Sequence, residues 1–385
     1  MPGDRLRVAM TMLQCWHRVP GGTAVAAIRQ AEAIAADPTI DLVAVGPMGW
    51  RSHGRPAPHH WAPPMPVSYL PGPYQLIYDA WDRLRIPPIS WAIGDVDVVH
   101  ATTVTVPPHP RRGALVVTIH DIFPITRPEH LSPRGVRLLS HGIERARETA
   151  DAVLVSSEYT ATQCREIGFS DDQLHVVPLG VEPVVMSPTD IAAVRQRHGL
   201  DRRYVMWAGT VEPRKNLSTL LEAFASVGRD ADLVLVGPTG WQVDLEALMK
   251  PLGDRVRRVG FVERRELMAL YAGAEMVCLP SLEEGFGLTA LESMSVGTPV
   301  LASDNSAMAE VGGSAVVALP ATDVGAWAAA IGDLLDDPDR RIALSAAGLE
   351  RASSFTWERT GALTIDVYHH VAERNEQTSP RSGAE

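Results

Sequence analysis

"AEMVCLPSLEEGFGLTALESMSVGTPV" runs from Ala274 to Val300, and its reading sets the architecture. Residues 274–280 form a short apolar run ending at a proline, which predicts a buried strand. Leu288, Leu291 and Met294 then recur at helical spacing, so 288–297 predicts a helix closed by Gly297 and Pro299. A further apolar run, "PVLAS" (299–303), follows at once. "EEGFG" (283–287) is therefore the turn that leads a strand into a helix. In an open α/β sheet such turns lie at the carboxyl ends of the strands, where ligands bind. Gly285 and Gly287 admit close backbone approach and unusual φ values. The amides of Phe286, Gly287 and Leu288, at the helix start, suit an anion or a hydroxyl-rich ligand. Glu284 sits on the turn, and Glu292 lies more than a turn inside the helix. Two readings stay open: two solvated glutamates on a surface turn, or one carboxylate for each end of an elongated ligand.

The same alternation of apolar strand and helical stretch fills the chain. Strands are predicted at 5–13, 40–46, 96–102, 114–121, 151–157 and 174–180. A second set falls at 203–209, 232–237, 256–262, 275–280, 299–303 and 314–319. Near-continuous Val, Leu and Ile runs separated by helices indicate α/β architecture, with parallel sheets covered on both faces. Two sets of six give two doubly wound domains, 1–182 and 183–355. The break falls near the polar, proline-bearing "VEPVVMSPTD" (181–190). The tail 374–385 reads as disordered.

Composition narrows the class. The chain has 385 residues, 45% of them hydrophobic, which suits two ordinary domains. It contains no apolar run of the roughly 18 or more residues that a membrane span needs. "MPGDRLRVAM" enters a strand directly, so no signal peptide is expected and a cytoplasmic protein is. Cys15, Cys164 and Cys278 are scattered and odd in number, which fits a reducing compartment and neither a disulfide framework nor a zinc site. Residues 1–180 hold 16 Arg and 17 acidic residues, and the remainder holds 19 basic and 29 acidic ones. Neither half suits nucleic acid. The N-terminal half is the better matched of the two to an anionic membrane surface.

Segment 47–95 departs from the pattern. It is rich in proline and aromatics (Trp50, Trp61, Tyr69, Tyr74, Tyr78, Trp81, Trp91) and reads either as an irregular loop and helix covering the core or as a surface for an acceptor or a membrane.

Three further turns fall at predicted strand ends. In "HRVPGGTAVAAIRQAEAIAA" (17–36), Gly21 and Gly22 open a helix, as a phosphate-binding turn does, but without the G-x-G-x-x-G spacing of a dinucleotide site. In "WAGTVEPRKNLSTLLEAF" (207–224), Arg214 and Lys215 precede an amphipathic helix. Two cations there can neutralise a diphosphate and stabilise a leaving phosphate. In "VVTIHDIFP" (116–124), His120 and Asp121 end a buried strand, where a histidine can contact a reacting group. Asp95 and Asp97 match a D-x-D metal motif by letters but read as strand-start punctuation. The pairs His59-His60 and His369-His370 lack metal-ligand spacing.

The E-x7-E arrangement Glu284…Glu292, "GTVEPRKNL" (209–217), "IHDIFP", the Gly21-Gly22 turn and "VVPLGVE" (176–182) together resemble the retaining glycosyltransferases of family 4. These motifs occur in the same order, over about residues 5–370. The resemblance implies the GT-B fold, two facing Rossmann-like domains with a deep interdomain cleft. It makes 1–182 the acceptor-side domain, joined by a C-terminal helix 356–373, and 183–355 the nucleotide-sugar donor domain. It places Glu292 on the ribose hydroxyls, and Glu284 with the Phe286–Leu288 backbone on the donor sugar, Gly285 being a further donor-binding residue. Arg214 and Lys215 go to the diphosphate, Gly22 near the phosphates, Val262 by its backbone at the base, and His120 near the sugar and the reacting centre, with Gly21, Gly209 and Thr210 also among the donor-binding residues.

The implied reaction is metal-independent hexosyl transfer with retention, in polysaccharide biosynthesis or a related process. The donor expected is a nucleotide diphosphate sugar, GDP-mannose foremost, with a glycan, lipid-linked or small-molecule acceptor. Peripheral contact with the inner face of the membrane through the N-terminal domain is part of the same expectation. A same-fold sugar-nucleotide epimerase and a non-catalytic sugar-nucleotide binder are the alternatives. A nicotinamide oxidoreductase is disfavoured by the missing glycine fingerprint.

Overall fold

The computed structural model describes residues 5–17, 21–48, 61–228 and 230–378. Trp50 and the pair His59-His60 lie outside the described residues. The chain divides into two compact units, 1–180 with 357–385, and 181–356.

The first unit is built on a seven-stranded sheet. Its strands are β1 (Leu6–Thr11), β2 (Ile40–Met48), β3 (Val67–Pro71), β4 (Val98–Ala101), β5 (Ala114–Ile119), β6 (Ala152–Val155) and β7 (Leu174–Val176). Their order is β3-β2-β1-β4-β5-β6-β7, and every pairing is parallel. Side chains alternate across the sheet, so Val99 and Val117 enter the core on one face, while Val98 and Val116 enter the core on the other.

β3 was not expected. Its segment "VSYLP" reads as part of an irregular, proline-rich cover, yet it adds an edge strand beside β2. An edge needs one bonded side only, which is where a sheet tolerates proline. The helix Tyr74–Arg83 follows and buries Ile77, Tyr78 and Trp81 against the same core. The Trp81 indole donates to the Pro87 carbonyl at 2.9 Å, which satisfies its one polar atom.

The last helix, Trp357–Thr378, lies against the helix Gly22–Ala35 of this unit. Gln30 donates to Thr364 at 2.8 Å, and a Cβ on Gly361 would stand 2.8 Å from that of Ala33, so the two backbones approach closely there. The helix carries on through 374–378, five residues expected to be disordered. "RNEQT" contains good helix formers, and a helix already docked extends at little cost. Residues 379–385 lie outside the described residues.

The second unit has a six-stranded sheet of β8 (Arg203–Ala208), β9 (Ala231–Val236), β10 (Val256–Gly260), β11 (Met276–Leu279), β12 (Val300–Ser303) and β13 (Val316–Leu319). The order is β10-β9-β8-β11-β12-β13, again all parallel. Connections run one way from β8 and the other way from β11. The gap between their carboxyl ends is the topological switch point, where side chains can reach a ligand without being covered by a crossover. In the first unit the corresponding gap lies between β1 and β4.

Candidate active site

At the switch point of the second unit, two loops face each other. β8 runs into the short 3-10 turn Pro213–Lys215, and β11 runs into 280–287. Asn216 stitches them together. It sits in the left-handed region (φ 49°), caps the turn, and donates to the Pro280 carbonyl at 3.0 Å and the Ala321 carbonyl at 2.8 Å. The Leu282 amide donates to the Arg214 carbonyl at 2.8 Å. The Glu284 carbonyl accepts from the Ala307 amide at 3.1 Å.

This frame presses the charged side chains together. Glu284 receives Lys215 Nζ on Oε1 at 2.5 Å and Arg214 on Oε2 at 3.1 Å. Arg214 also donates to the Glu283 carbonyl at 2.8 Å and to Glu212 Oε1 at 2.8 Å. Glu284, Arg214 and Lys215 are largely withdrawn from water. Burial alone would push the Glu284 carboxyl up. The charges of Arg214 and Lys215, with hydrogen bonds from Lys215 and Ser281, outweigh it and bring the group down to about 2. The predicted cations and the first predicted carboxylate thus form one cluster. Glu212, buried and holding the Arg214 guanidinium, was missed: a glutamate two residues before "RK" carries no spacing signal.

The glycine turn behaves in part as its sequence suggests. Gly287 has φ 92°, and a Cβ there would stand 2.4 Å from Met308 Cγ, so both conformation and space require glycine. Gly285 precedes it on the same turn. The helix Leu288–Ser295 begins at Gly287. Among the described residues, the amides of Phe286, Gly287 and Leu288 donate to no backbone carbonyl. Phe286 is buried against Phe355, which anchors the turn.

Glu292 sits apart from the Glu284 cluster in its partners. It is buried inside the helix and accepts from Arg264 at 2.6 Å. Burial raises its carboxyl above the usual range, and Arg264 opposes that shift. At the end of β10, Phe261 is exposed and Val262 half-buried. Gly209 follows β8, where a Cβ would lie 3.6 Å from Lys215 Cε, and Thr210 comes next, half-buried.

The carboxyl edge of the first sheet has a different character. Gly21 caps the helix Gly22–Ala35 at φ −100°, and among the described residues a Cβ at Gly21 or Gly22 would meet nothing within 4 Å. Neither φ nor packing demands glycine, so the space at that helix start is open. His120 follows β5 and lies 3.2 Å from the Thr102 carbonyl. Burial lowers it to about 4 against the effect of that bond, so the ring is neutral at pH 7. His17 lies 3.1 Å from Tyr78 Oη, with its ring 4.7 Å from that of Tyr74. Asp97 accepts from the Arg7 amide at 2.7 Å, and Asp95 faces Arg112 at 3.7 Å, so both carboxylates serve the start of β4. His100, on β4, is fully buried between Tyr368 of the last helix at 2.6 Å and Thr118 at 2.7 Å. No group of His, Cys, Asp and Glu with metal-holding geometry occurs among the described residues, and no helix there is long and apolar enough to cross a membrane.

Comparison with known proteins follows this division. Residues 20–185 match the family model described as Glycosyltransferase Family 4, and residues 190–351 match that described as Glycosyl transferases group 1. O-antigen chain mannosyltransferase B of Escherichia coli is 31% identical over 306 residues, covering 76% of this chain and 80% of that protein. The MMP alpha-(1->4)-mannosyltransferase of Mycolicibacterium hassiacum is 35% identical over 281 residues, covering 68% of this chain and 66% of that protein. Among solved structures, Anabaena HepE in complex with UDP-glucose superposes with a TM-score of 0.74 at 19% identity, over 95% of this chain and all of that one.

Two Rossmann-like parallel sheets with these likenesses define a glycosyltransferase of the GT-B fold. Within that class the chain belongs to the family 4 glycosyltransferases, as the E-x7-E block and its companion motifs had indicated.

Proposed function

We propose that this glycosyltransferase moves a hexose, mannose first, from a nucleotide diphosphate sugar, GDP-mannose first, to a glycan, lipid-linked or small-molecule acceptor with retention at the anomeric carbon. The observation that carries this reading is the Glu284–Lys215–Arg214 cluster at the switch point between β8 and β11. The names of the Escherichia coli and Mycolicibacterium relatives favour mannose, and the Anabaena complex favours a nucleotide-sugar donor in general.

On this reading the second unit is the donor domain and the first the acceptor-side domain. Lys215 and Arg214, helped by Gly209 and Thr210, take the diphosphate, and the open helix start at Gly21-Gly22 is assigned to phosphate as well. Glu284 and the free amides of Phe286–Leu288 take the transferred sugar. Glu292 takes the ribose, and the backbone at Val262 takes the base. Transfer proceeds by front-side attack: the acceptor hydroxyl bonds to the anomeric carbon as the C–O bond to phosphate breaks, and the leaving phosphate accepts the hydroxyl proton. Arg214 and Lys215 stabilise the charge that grows on that phosphate, the part a divalent cation plays elsewhere. The neutral His120 ring is assigned to the reacting sugar. Exposed Leu76, Leu84, Ile86 and Trp91 are where the first unit would rest on a membrane.

A panel of nucleotide sugars tests the donor by thermal shift. At a hundredfold excess over Kd a bound donor adds about 2.7 kcal/mol, or roughly 5–10 °C for a unit of this size. GDP-mannose is expected to shift melting most, and a flat panel overturns the reading. A purified enzyme that consumes donor without acceptor would be an epimerase; one that binds it and never turns it over would be a binder. Activity should survive excess chelator. Loss restored by Mn²⁺ or Mg²⁺ would reject the metal-independent course.

A further inference from the structure

We propose that Arg264 is a donor-positioning residue, which holds the Glu292 carboxylate in place to accept hydrogen bonds from the ribose and acts through that carboxylate. The inference rests on the assignment of Glu292 to ribose. Arg264 is the first residue of the helix Arg264–Ala272, just past β10, and reaches across to the helix Leu288–Ser295. Its Nη1 donates to Glu292 Oε1 at 2.6 Å, and its Nε lies 3.9 Å from Glu182 Oε2. The Glu292 side chain is only 9% exposed and that of Arg264 32%, so the pair sits at the border of the interior with the cation on the outer side.

A buried carboxylate with no cation beside it tends to take up a proton and then becomes a poor acceptor. Tyr271, on the same helix as Arg264 and also turned toward Glu292, is buried and neutral. The charge that keeps Glu292 an anion is therefore that of Arg264. The geometry also orients it. Arg264 engages Oε1, and among the described residues the Glu292 side chain makes no other hydrogen bond, which leaves Oε2 for a hydroxyl. Two vicinal hydroxyls and one fixed carboxylate make a recognition unit only if the carboxylate does not rotate, and a short ion pair at one oxygen prevents that. The sequence stretch "VERRELMAL" (262–270) gives no hint, since two arginines at a helix start read as surface charge.

Calorimetric titration of the full chain with GDP, and with UDP in parallel, tests this alongside steady-state kinetics. Arg264→Ala is expected to weaken diphosphate binding about tenfold or more and to raise the donor KM by a similar factor. Its kcat at saturating donor should stay within about threefold. Arg264→Lys should recover much of the loss, because it keeps the charge. The double variant Arg264→Ala/Glu292→Gln should bind no more weakly than Glu292→Gln alone, since both changes remove one unit. Additive losses would mean that Arg264 touches the donor itself or merely supports the fold, and would overturn the proposal. So would unchanged affinity in Arg264→Ala when Glu292→Gln is impaired. Unchanged affinity in Glu292→Gln would overturn the ribose assignment instead.

Discussion

At the carboxyl edge of β8 and β11, Arg214, Lys215, Glu212 and Glu284 are charged and paired at close range. At the carboxyl edge of β1, β4 and β5 stand His17, Tyr74, Tyr78, Thr102 and His120, with Asp121 directly after it, and burial keeps the two histidines neutral. Both edges belong to parallel sheets with the same switch-point topology. The fold thus supplies two equivalent places, and the residues make them chemically unlike. The charged edge suits a diphosphate, whose leaving group gains charge during transfer. The neutral edge suits hydroxyl-bearing molecules, for which uncharged donors and acceptors are enough.

The largest expected effect tests the charged edge. Lys215→Ala removes a cation that lies 2.5 Å from Glu284 and should lower kcat by about 10²–10³, the range for losing one preorganised electrostatic contact. The melting temperature should change little, because Glu284 retains Arg214. A near-normal rate would break the contrast at its strong end. A smaller effect is expected at the neutral edge. His120→Ala removes a single neutral hydrogen-bonding group and should cost about tenfold in kcat. A loss as large as that of Lys215→Ala would make His120 a proton-transfer group and the edge less neutral than described.

Acid should separate the two units more gently. His17, His100 and His120 are held near 4, 3 and 4 by burial, against an ordinary value of 6.5. The unfolded chain binds protons that the folded first unit refuses. The stability these groups confer is complete above about pH 6.5 and is lost as pH falls toward 4 and 3. His109, raised by its bond to Asp151, acts in the opposite sense. In the second unit Glu284 is lowered to about 2, so its contribution persists until pH drops below 4.5. Pulsed hydrogen exchange after incubation at pH 7.5 and pH 5 should show the first unit opening before the second, beginning at the His100–Tyr368 contact of the last helix. Simultaneous opening of both units would erase the difference.

The two edges also differ in how far the sequence reveals them. Arg214, Lys215 and Glu284 lie on turns flanked by long apolar runs, so period and punctuation place them at strand ends, and Glu292 follows on the helix that the last of these turns opens. Among the described residues, twelve of thirteen strands have such runs and are legible. β3 was not, because "VSYLP" is short, carries proline and gains its strand character from one neighbour. The partners Glu212, Asn216 and Arg264 were equally hidden. Glu212 acts on Arg214, two residues on, a separation that marks no element, while Asn216 and Arg264 depend on contacts 28 to 105 residues away or on a left-handed cap, and a single sequence has no period for either. His100 looked like one residue of a buried strand. Only the docking of Tyr368, 268 positions further on, makes it a contact that ties the last helix to the sheet.

The central claim is that Glu284 and Glu292 divide one donor between them, and that they do so through separate cations. A contact to the reacting sugar can strengthen in the transition state, whereas a contact to ribose acts in ground and transition states alike. Calorimetric titration of Glu284→Gln and Glu292→Gln with nucleoside diphosphate, which lacks the sugar, reads the division directly, with steady-state kinetics beside it. The account predicts that Glu292→Gln weakens diphosphate binding and raises the donor KM. It predicts that Glu284→Gln lowers kcat and leaves diphosphate affinity nearly unchanged. Equal loss of diphosphate affinity in both variants would contradict it.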